Sequence, residues 1–343
     1  MVEKTTIFEG SENTQYYIRH SGQLMYGKLD FLNCAFGLVP PELDGYESTL
    51  DAPAFDIKGI NSFFLLNRIT QRSFYKKNGD IANGSRKAKR IHPDTFLAMN
   101  IIAPSIEEQI KISSFLAILE NRIEKQRQFI DALKSYKRGA LSALFPKIGE
   151  NTPQYRLSGF EGAWEKHKFR DIGTVSMCKR VFKEETTSEG GIPFYKIGTF
   201  GGKPDAFISR DLFELYKEKY PYPQKGDILL SASGTIGRIV EYGGEDAYYQ
   251  DSNIVWLSHD NTVSNKFLKA LYPTVKWDGI EGSTIKRLYN DNFLRTEFMI
   301  PSFLEQEALG VIFEEIDNLI THHQHKYDLL LSFKQSLLQQ MFI

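Results

Sequence analysis

PSIEEQIKISSFLAILENRIEKQRQFIDALKSYKRGALSALF, residues 104–145, returns at residues 301–342 as PSFLEQEALGVIFEEIDNLITHHQHKYDLLLSFKQSLLQQMF. A shift of 197 residues, without a gap, puts Pro104 on Pro301, Glu108 on Glu305, Gln109 on Gln306, Asn121 on Asn318, Ile123 on Ile320 and Asp131 on Asp328. The chain is therefore an internal repeat. Each copy opens on a proline and a serine, Ser105 or Ser302, with Glu108 or Glu305 three residues after it. That is the pattern of a helix start with a capping box, and neither copy has an internal proline to break the helix.

Apolar residues then recur in a 4-3 rhythm: Ile112, Leu116, Leu119, Ile123, Ile130, Leu133, Leu141 and Leu144 in the first copy, Leu309, Phe313, Ile316, Ile320, Tyr327, Leu330, Leu337 and Met341 in the second. This is a heptad seam. At about 1.5 Å per residue each helix would be roughly 60 Å long, too long and too narrowly striped to bury itself alone. The expected partner is the other copy, packed antiparallel as a coiled coil, with the repeats related by a pseudo-twofold axis. Gln126 falls at the place of His323 and Lys137 at that of Lys334, polar seam positions that lower stability and fix register.

Composition sets wide bounds. A chain of 343 residues, 41% apolar and 25% charged, suits two or three globular domains. A net charge of -1 excludes a wholly basic nucleic-acid binder, so any DNA contact has to come from local clusters. Cys34 and Cys178, single and far apart, fit a reducing compartment and make no metal-ligand pattern. The sequence contains neither an apolar run of membrane-spanning length nor a signal-like start, so the expectation is a cytoplasmic protein without a membrane partner.

Around the helices the pattern changes to short strands and turns. Residues 1–103 are read as a first domain, 104–146 as the central helix, 147–300 as a second domain opened by the linker PKIGENTPQ, and 301–343 as the C-terminal helix. In the first domain strands are expected over 23–26 and 54–57, and a short helix over 63–69. In the second, strands are expected over 192–198, 226–231, 238–242 and 253–257, and a helix over 210–220. The fold class is α+β. Residues 83–90, NGSRKAKR, place Arg86, Lys87, Lys89 and Arg90 after the turn at Ser85, a shape that suits either a loop over a phosphate backbone or a solvated loop. Lys286 and Arg287 match Lys89 and Arg90 at the offset of 197, and Ser283 matches Ser85 after a one-residue indel. Two basic turns, each just before a long helix, argue for a shared task.

The chemistry motifs mostly exclude. An adenine methyltransferase would need an Asn- or Asp-Pro-Pro-aromatic tetrapeptide, and the nearest string is VPPE at 39–42. SGTIGRIV at 233–240 lacks the lysine and spacing of a phosphate loop. Asp51, Asp56 and Lys58 could imitate the acidic pair and lysine of a metal-dependent nuclease, although Asp51 falls in a turn. His322, His323 and His325 crowd one helical turn without a carboxylate or cysteine to complete a metal site, so no metal is expected.

The Pro-x-x-x-Glu-Gln openings at Pro104 and Pro301, YRLSGFEGAWEKHKF at 155–169 and GDILLSASGTIG at 226–237 together resemble the DNA sequence-specificity subunit of type I restriction-modification systems, over nearly the whole chain. The resemblance implies a non-catalytic subunit with two mixed α/β target-recognition domains separated by the paired helices. Each domain would read one half of a bipartite asymmetric site in double-stranded DNA. The helices would set the spacing and dock two methyltransferase subunits, and through them the restriction/translocase subunits. The chain itself would hold no cofactor; AdoMet, ATP and Mg²⁺ would belong to the partners. Candidate contacts in the second domain are Ser231, Ser233, Thr235 and Arg238 in the glycine-bearing turn, with Tyr195 and Lys196 as base or sugar contacts. The rival readings are a free-standing nuclease built on Asp51, Asp56 and Lys58, and a coiled-coil adaptor that binds no DNA. One departure stands out: counted from Gln154, 72 residues precede Gly226, whereas 21 precede Gly22. The first domain is accordingly read as N-terminally incomplete, without counterparts of FEGAW and IPFYKIGTF.

Overall fold

The structure, a computed structural model, describes residues 14–80, 90–260, 262–280 and 286–342. It divides into two units, Met1–Phe129 with His323–Ile343, and Ile130–His322. Both long helices pass from one unit into the other.

In the first unit, strands β1 (Tyr16–Ile18), β2 (Leu24–Tyr26), β3 (Phe36–Leu38), β4 (Glu47–Thr49) and β5 (Ala54–Phe55) precede helices α1 (Ser62–Ile69), α2 (Arg72–Gly79) and α3 (Pro93–Leu97) and the long helix α4 (Ile106–Leu144). β2 is the centre of an antiparallel β3-β2-β5 sheet, and β1 pairs with β4. Strands this short hold only because aromatic side chains close over them. Tyr26 lies 4.5 Å from Phe96 and 5.8 Å from Phe31, ring centre to ring centre, and its hydroxyl donates to the Ile91 carbonyl at 2.9 Å. A buried phenol is tolerated because its one polar atom is satisfied.

The second unit carries β6 (Glu165–Lys168), β7 (Gly173–Ser176), β8 (Thr186–Thr187), β9 (Ile192–Tyr195), β10 (Phe207–Ile208), α5 (Arg210–Lys219), β11 (Ile228–Ser231), β12 (Ile239–Glu241), β13 (Tyr248–Tyr249), β14 (Ile254–His259), α6 (Asn265–Leu271), α7 (Asn290–Arg295), β15 (Glu297–Ile300) and the start of the second long helix, α8 (Phe303–Met341). Its sheets run β12-β11-β14-β7, β13-β9-β10-β8 and β15-β6. The fully buried run Ile228–Ser231 is central in its sheet, which explains the three consecutive apolar residues Ile228, Leu229 and Leu230. The strand expected over 192–198 stops at Tyr195, because the Thr199 hydroxyl and the Gln250 side chain take the amides of Lys196 and Ile197 (3.1 and 2.9 Å) and fold the chain away.

The heptad positions face a partner. Leu116, Leu119, Ile123, Ile130, Leu141, Leu309, Phe313 and Ile316 are buried, while Ile112, Leu133, Leu144, Ile320, Tyr327, Leu330, Leu337 and Met341 are half-buried. In the first unit Leu116 shares a cluster with Phe342, Lys334 Nζ reaches Glu120 Oε1 at 2.6 Å, and Gln126 Nε2 meets His323 Nδ1 at 2.8 Å. In the second, Lys137 Nζ reaches Asp317 Oδ1 at 2.6 Å and the Phe145 ring lies 5.9 Å from Phe313. Residue numbers fall on one helix as they rise on the other, so within each unit the helices run in opposite directions. The Lys137–Asp317 and Lys334–Glu120 pairs coincide under the shift of 197 residues.

The helix openings are built for more than capping. The Ser105 hydroxyl accepts from the Glu108 amide at 3.3 Å, which is one half of the expected box; Glu305, by contrast, turns to Arg156. The glutamines do the joining. Gln109 donates to the Pro104 carbonyl (2.8 Å) and accepts from the amide of Asn61, the N-cap of α1 (2.9 Å). Gln306 likewise donates to the Pro301 carbonyl (3.1 Å) and accepts from the amide of Ser264, the N-cap of α6 (3.0 Å). Each glutamine thus pins a short helix of its own unit to the start of a long one.

Candidate nucleic-acid interface

The glycine-bearing turn after β11 depends on two left-handed residues, Gly234 (φ 68°) and Gly237 (φ 85°). At Gly237 a Cβ would also stand 3.3 Å from the Trp277 indole nitrogen, so both backbone and space select glycine. Lower down, Asp227 is half-buried, and desolvation raises its carboxyl above the usual range; it accepts from the Gln224 amide at 2.8 Å.

Backbone bonds join this turn to the segment that carries the second basic pair. Gly234 N donates to the Lys286 carbonyl (3.0 Å), Leu288 N donates to the Ala232 carbonyl (2.9 Å), and Ser233 bridges antiparallel to Arg287. Thr235, Lys286 and Arg287 are exposed on the result. On the other side, Arg238 donates from its guanidinium to the Phe200 carbonyl at 2.9 Å, which ties the turn to the loop after β9. Tyr195 ends β9 and Lys196 begins that loop; Tyr195 stacks on Tyr249 at 5.7 Å and Lys196 Nζ pairs with Asp205 at 2.8 Å. Segments far apart in sequence therefore assemble one polar strip in the second unit.

Not every candidate side chain is available. Ser231 is buried, and its hydroxyl donates to the Thr235 carbonyl (2.5 Å) while accepting from the Arg238 amide (2.9 Å), so it shapes the turn from within. Ser233 is buried too and contributes through its backbone. In the first unit Arg90 faces Asp51 at 3.5 Å. Ser85, Arg86, Lys87, Lys89 and Ser283 lie outside the described residues. The pairing of residues 231–237 with 286–288 was invisible in the sequence, since neither segment has strand periodicity; the shared Gly-Ser-basic pattern was its one trace.

Two of the three residues of the nuclease reading are engaged elsewhere. Asp51 sits in a turn facing Arg90, and Asp56 instead accepts from Gln23 Nε2 at 3.0 Å. Among the described residues no group of three or more His, Cys, Asp and Glu could hold a metal ion, and no helix is long and apolar enough to cross a membrane. His323 makes its contacts between the helices, with Gln126 and with the Phe129 ring at 4.6 Å.

Residues 161–331 match the family described as type I restriction modification DNA specificity domain. Over 155 residues, 44% of the chain, the sequence is 57% identical to a Haemophilus influenzae protein that carries the name of a type I restriction enzyme specificity subunit. That stretch covers 40% of the relative's length. The chain also shares its fold with the S subunit of a type I restriction-modification system from M. genitalium (TM-score 0.62, 15% identity, all of this chain and 92% of that one). A structure described as the basis of complex assembly and conformational transition of the type I restriction-modification system is similar as well (TM-score 0.58, 17% identity, 97% and 84%). Through these residues the chain belongs to the family of type I restriction-modification DNA specificity subunits.

Proposed function

We propose that the chain is a non-catalytic recognition subunit that directs a type I restriction-modification assembly to its DNA sequence. The observation that carries this reading is that the family match at 161–331 falls on the part of the chain that presents Thr235, Arg238, Lys286 and Arg287 on one strip. In this reading the second domain, 147–300, reads one half of a bipartite asymmetric duplex site, and the first domain, 1–103, belongs to the other half. Lys286 and Arg287 meet phosphates, Thr235 lies beside them, and Tyr195 and Lys196 lie toward the bases.

The helices, 104–146 and 301–343, act as an antiparallel coiled coil that sets the spacing and docks two methyltransferase subunits, which bring AdoMet. ATP and Mg²⁺ serve the restriction/translocase subunits, and the assembly works in the cytoplasm. The Gln126–His323 contact supports a pseudo-twofold axis at this point, because the two residues are 197 apart, the repeat shift itself, and so are each other's counterparts.

Lys286→Ala with Arg287→Ala tests the phosphate role. Binding of duplex oligonucleotides, measured across salt concentrations with the partner subunits present, should weaken about equally for all sequences. The slope of log K against log salt should flatten by about 0.9 per lost contact. An unchanged slope would remove these two residues from the interface.

A further inference from the structure

The turn between β13 and β14 holds two loops of the second unit at once. Its backbone is special: Ser252 takes a left-handed φ of 52°, which among the described non-glycine residues only Cys34 shares. Gln250 N donates to the Tyr195 carbonyl (2.9 Å), and the Gln250 side-chain oxygen accepts from the Ile197 amide (2.9 Å), which fixes the loop after β9. Asp251 Oδ2 accepts from Arg180 Nε (2.8 Å), 71 residues away in sequence, which fixes the loop between β7 and β8. Lys179 is steadied beside it, its Nζ 5.0 Å from the centre of the Tyr220 ring. A cleft of about 540 Å³ is lined by Phe182 and Lys183 from the one loop and by Lys196 and Asp205 from the other.

The Arg180–Asp251 pair is lopsided. The arginine side chain is 60% exposed and the aspartate 16%. Arg90, Arg170, Arg210 and Arg295 instead face carboxylates that are themselves at least 44% exposed, and Arg156 is as enclosed as its pair with Glu305 requires. A pair open to water at both ends holds neither side chain firmly, whereas a carboxylate largely withdrawn from water and bonded to Nε fixes the guanidinium plane. The Arg180 guanidinium makes no other hydrogen bond or ion pair among the described residues, so its two terminal nitrogens remain as a free fork. A phosphate can be held by a mobile cation, but choosing between bases needs donors at fixed positions.

We infer that Arg180, held in plane by Asp251, reads a guanine in the half-site recognised by the second domain. The inference rests on the recognition role proposed above. The two terminal nitrogens of Arg180 donate to O6 and N7 on the major-groove edge of the guanine. Adenine presents an amino donor in place of O6 and so meets the guanidinium donor to donor. Asp251 is a positioning residue: it touches the arginine and not the base. The cleft beside the pair brings Lys196, a candidate contact of the neighbouring loop, to the same side of the domain.

The test compares the parent chain with Arg180→Lys, Arg180→Ala and Asp251→Asn, each assembled with the partner subunits. Methylated adenines are mapped across the genome, and binding is measured to duplexes that carry each base pair in turn at one position of the site. The parent site should contain a G·C pair at which both Arg180 variants accept other bases, discrimination there falling about tenfold or more while the other positions keep theirs. Arg180→Lys retains the charge, so its salt dependence should match the parent's. Asp251→Asn should lose selectivity at that same pair and at no other, which a general loss of folding would not do; circular dichroism and melting check the fold of each variant. A half-site without a G·C pair, or a site left unaltered by Arg180→Lys, would overturn the inference while the recognition role stands. So would uniform weakening across sequences in Arg180→Ala with a salt slope flattened by about 0.9, the mark of a phosphate contact. A parent chain that selects no site would overturn the recognition role itself, and the inference with it.

Discussion

Gln109 and Gln306 do the same work in the two units, yet the residues one helical turn further on differ. Ser113 donates to Asn61 Oδ1 at 2.8 Å, whereas its counterpart Gly310 lets α6 come so close that a Cβ would stand 2.5 Å from Lys266 Cβ and 3.1 Å from the Phe267 amide nitrogen. Gly310→Ala should therefore destabilise the protein by about 1–3 kcal/mol through overpacking, although alanine favours helices. Ser113→Ala should cost about 1 kcal/mol, the worth of one hydrogen bond. Denaturant unfolding of both variants checks this, and a stabilised Gly310→Ala would mean that α6 can retreat. The helix-opening proline and the Ser105 cap were legible in the sequence because their partners are within one turn, whereas the Arg156 partner of Glu305 lies 149 residues away and was not. The task of the glutamines was not, because their partners Asn61 and Ser264 lie 48 and 42 residues away. Ser231 shows the opposite error: a hydroxyl in a polar turn looked available for DNA, but the turn consumes both its donor and its acceptor.

At the scale of elements, the long helices were the most legible part of the chain, because a 4-3 rhythm sustained over two gapless copies leaves few alternatives. Strands such as β8, β10 and β13, two residues each, escaped notice because they are too short to show alternation and exist only where neighbours pair with them. The helix pair combines an apolar seam with ion pairs at its flank, Lys137–Asp317 and Lys334–Glu120, both half-buried and so less screened than surface pairs. Ile123 is buried in the seam of the first unit. Ile123→Asp, an unpaired charge in an apolar contact, should cost about 3 kcal/mol or more, and Ile320→Asp, half-buried, should cost less. Thermal melts of the two variants should fall in that order below the parent. Parent-like melting of Ile123→Asp would remove Ile123 from the seam.

At the scale of the molecule, the repeat supplies two similar helix openings and two similar short-helix seats, but unequal domains around them. The second unit has the four-stranded β12-β11-β14-β7 sheet where the first has β3-β2-β5. It also has the β13-β9-β10-β8 sheet that carries Tyr195, for which the first unit shows no counterpart among the described residues. Specificity, in the proposed reading, therefore resides mainly in residues 154–300, while the helices serve assembly. The direct measurement is a genome-wide map of methylated adenines in cells that express the partner subunits with either the parent chain or a chain whose residues 154–300 are exchanged for those of another such subunit. The parent should give a bipartite site, and the exchange should change one half of it while the other half, the spacing and the association with the partners stay as they were. Methylation at an unchanged site after the exchange, or none with the parent chain, would contradict the recognition role.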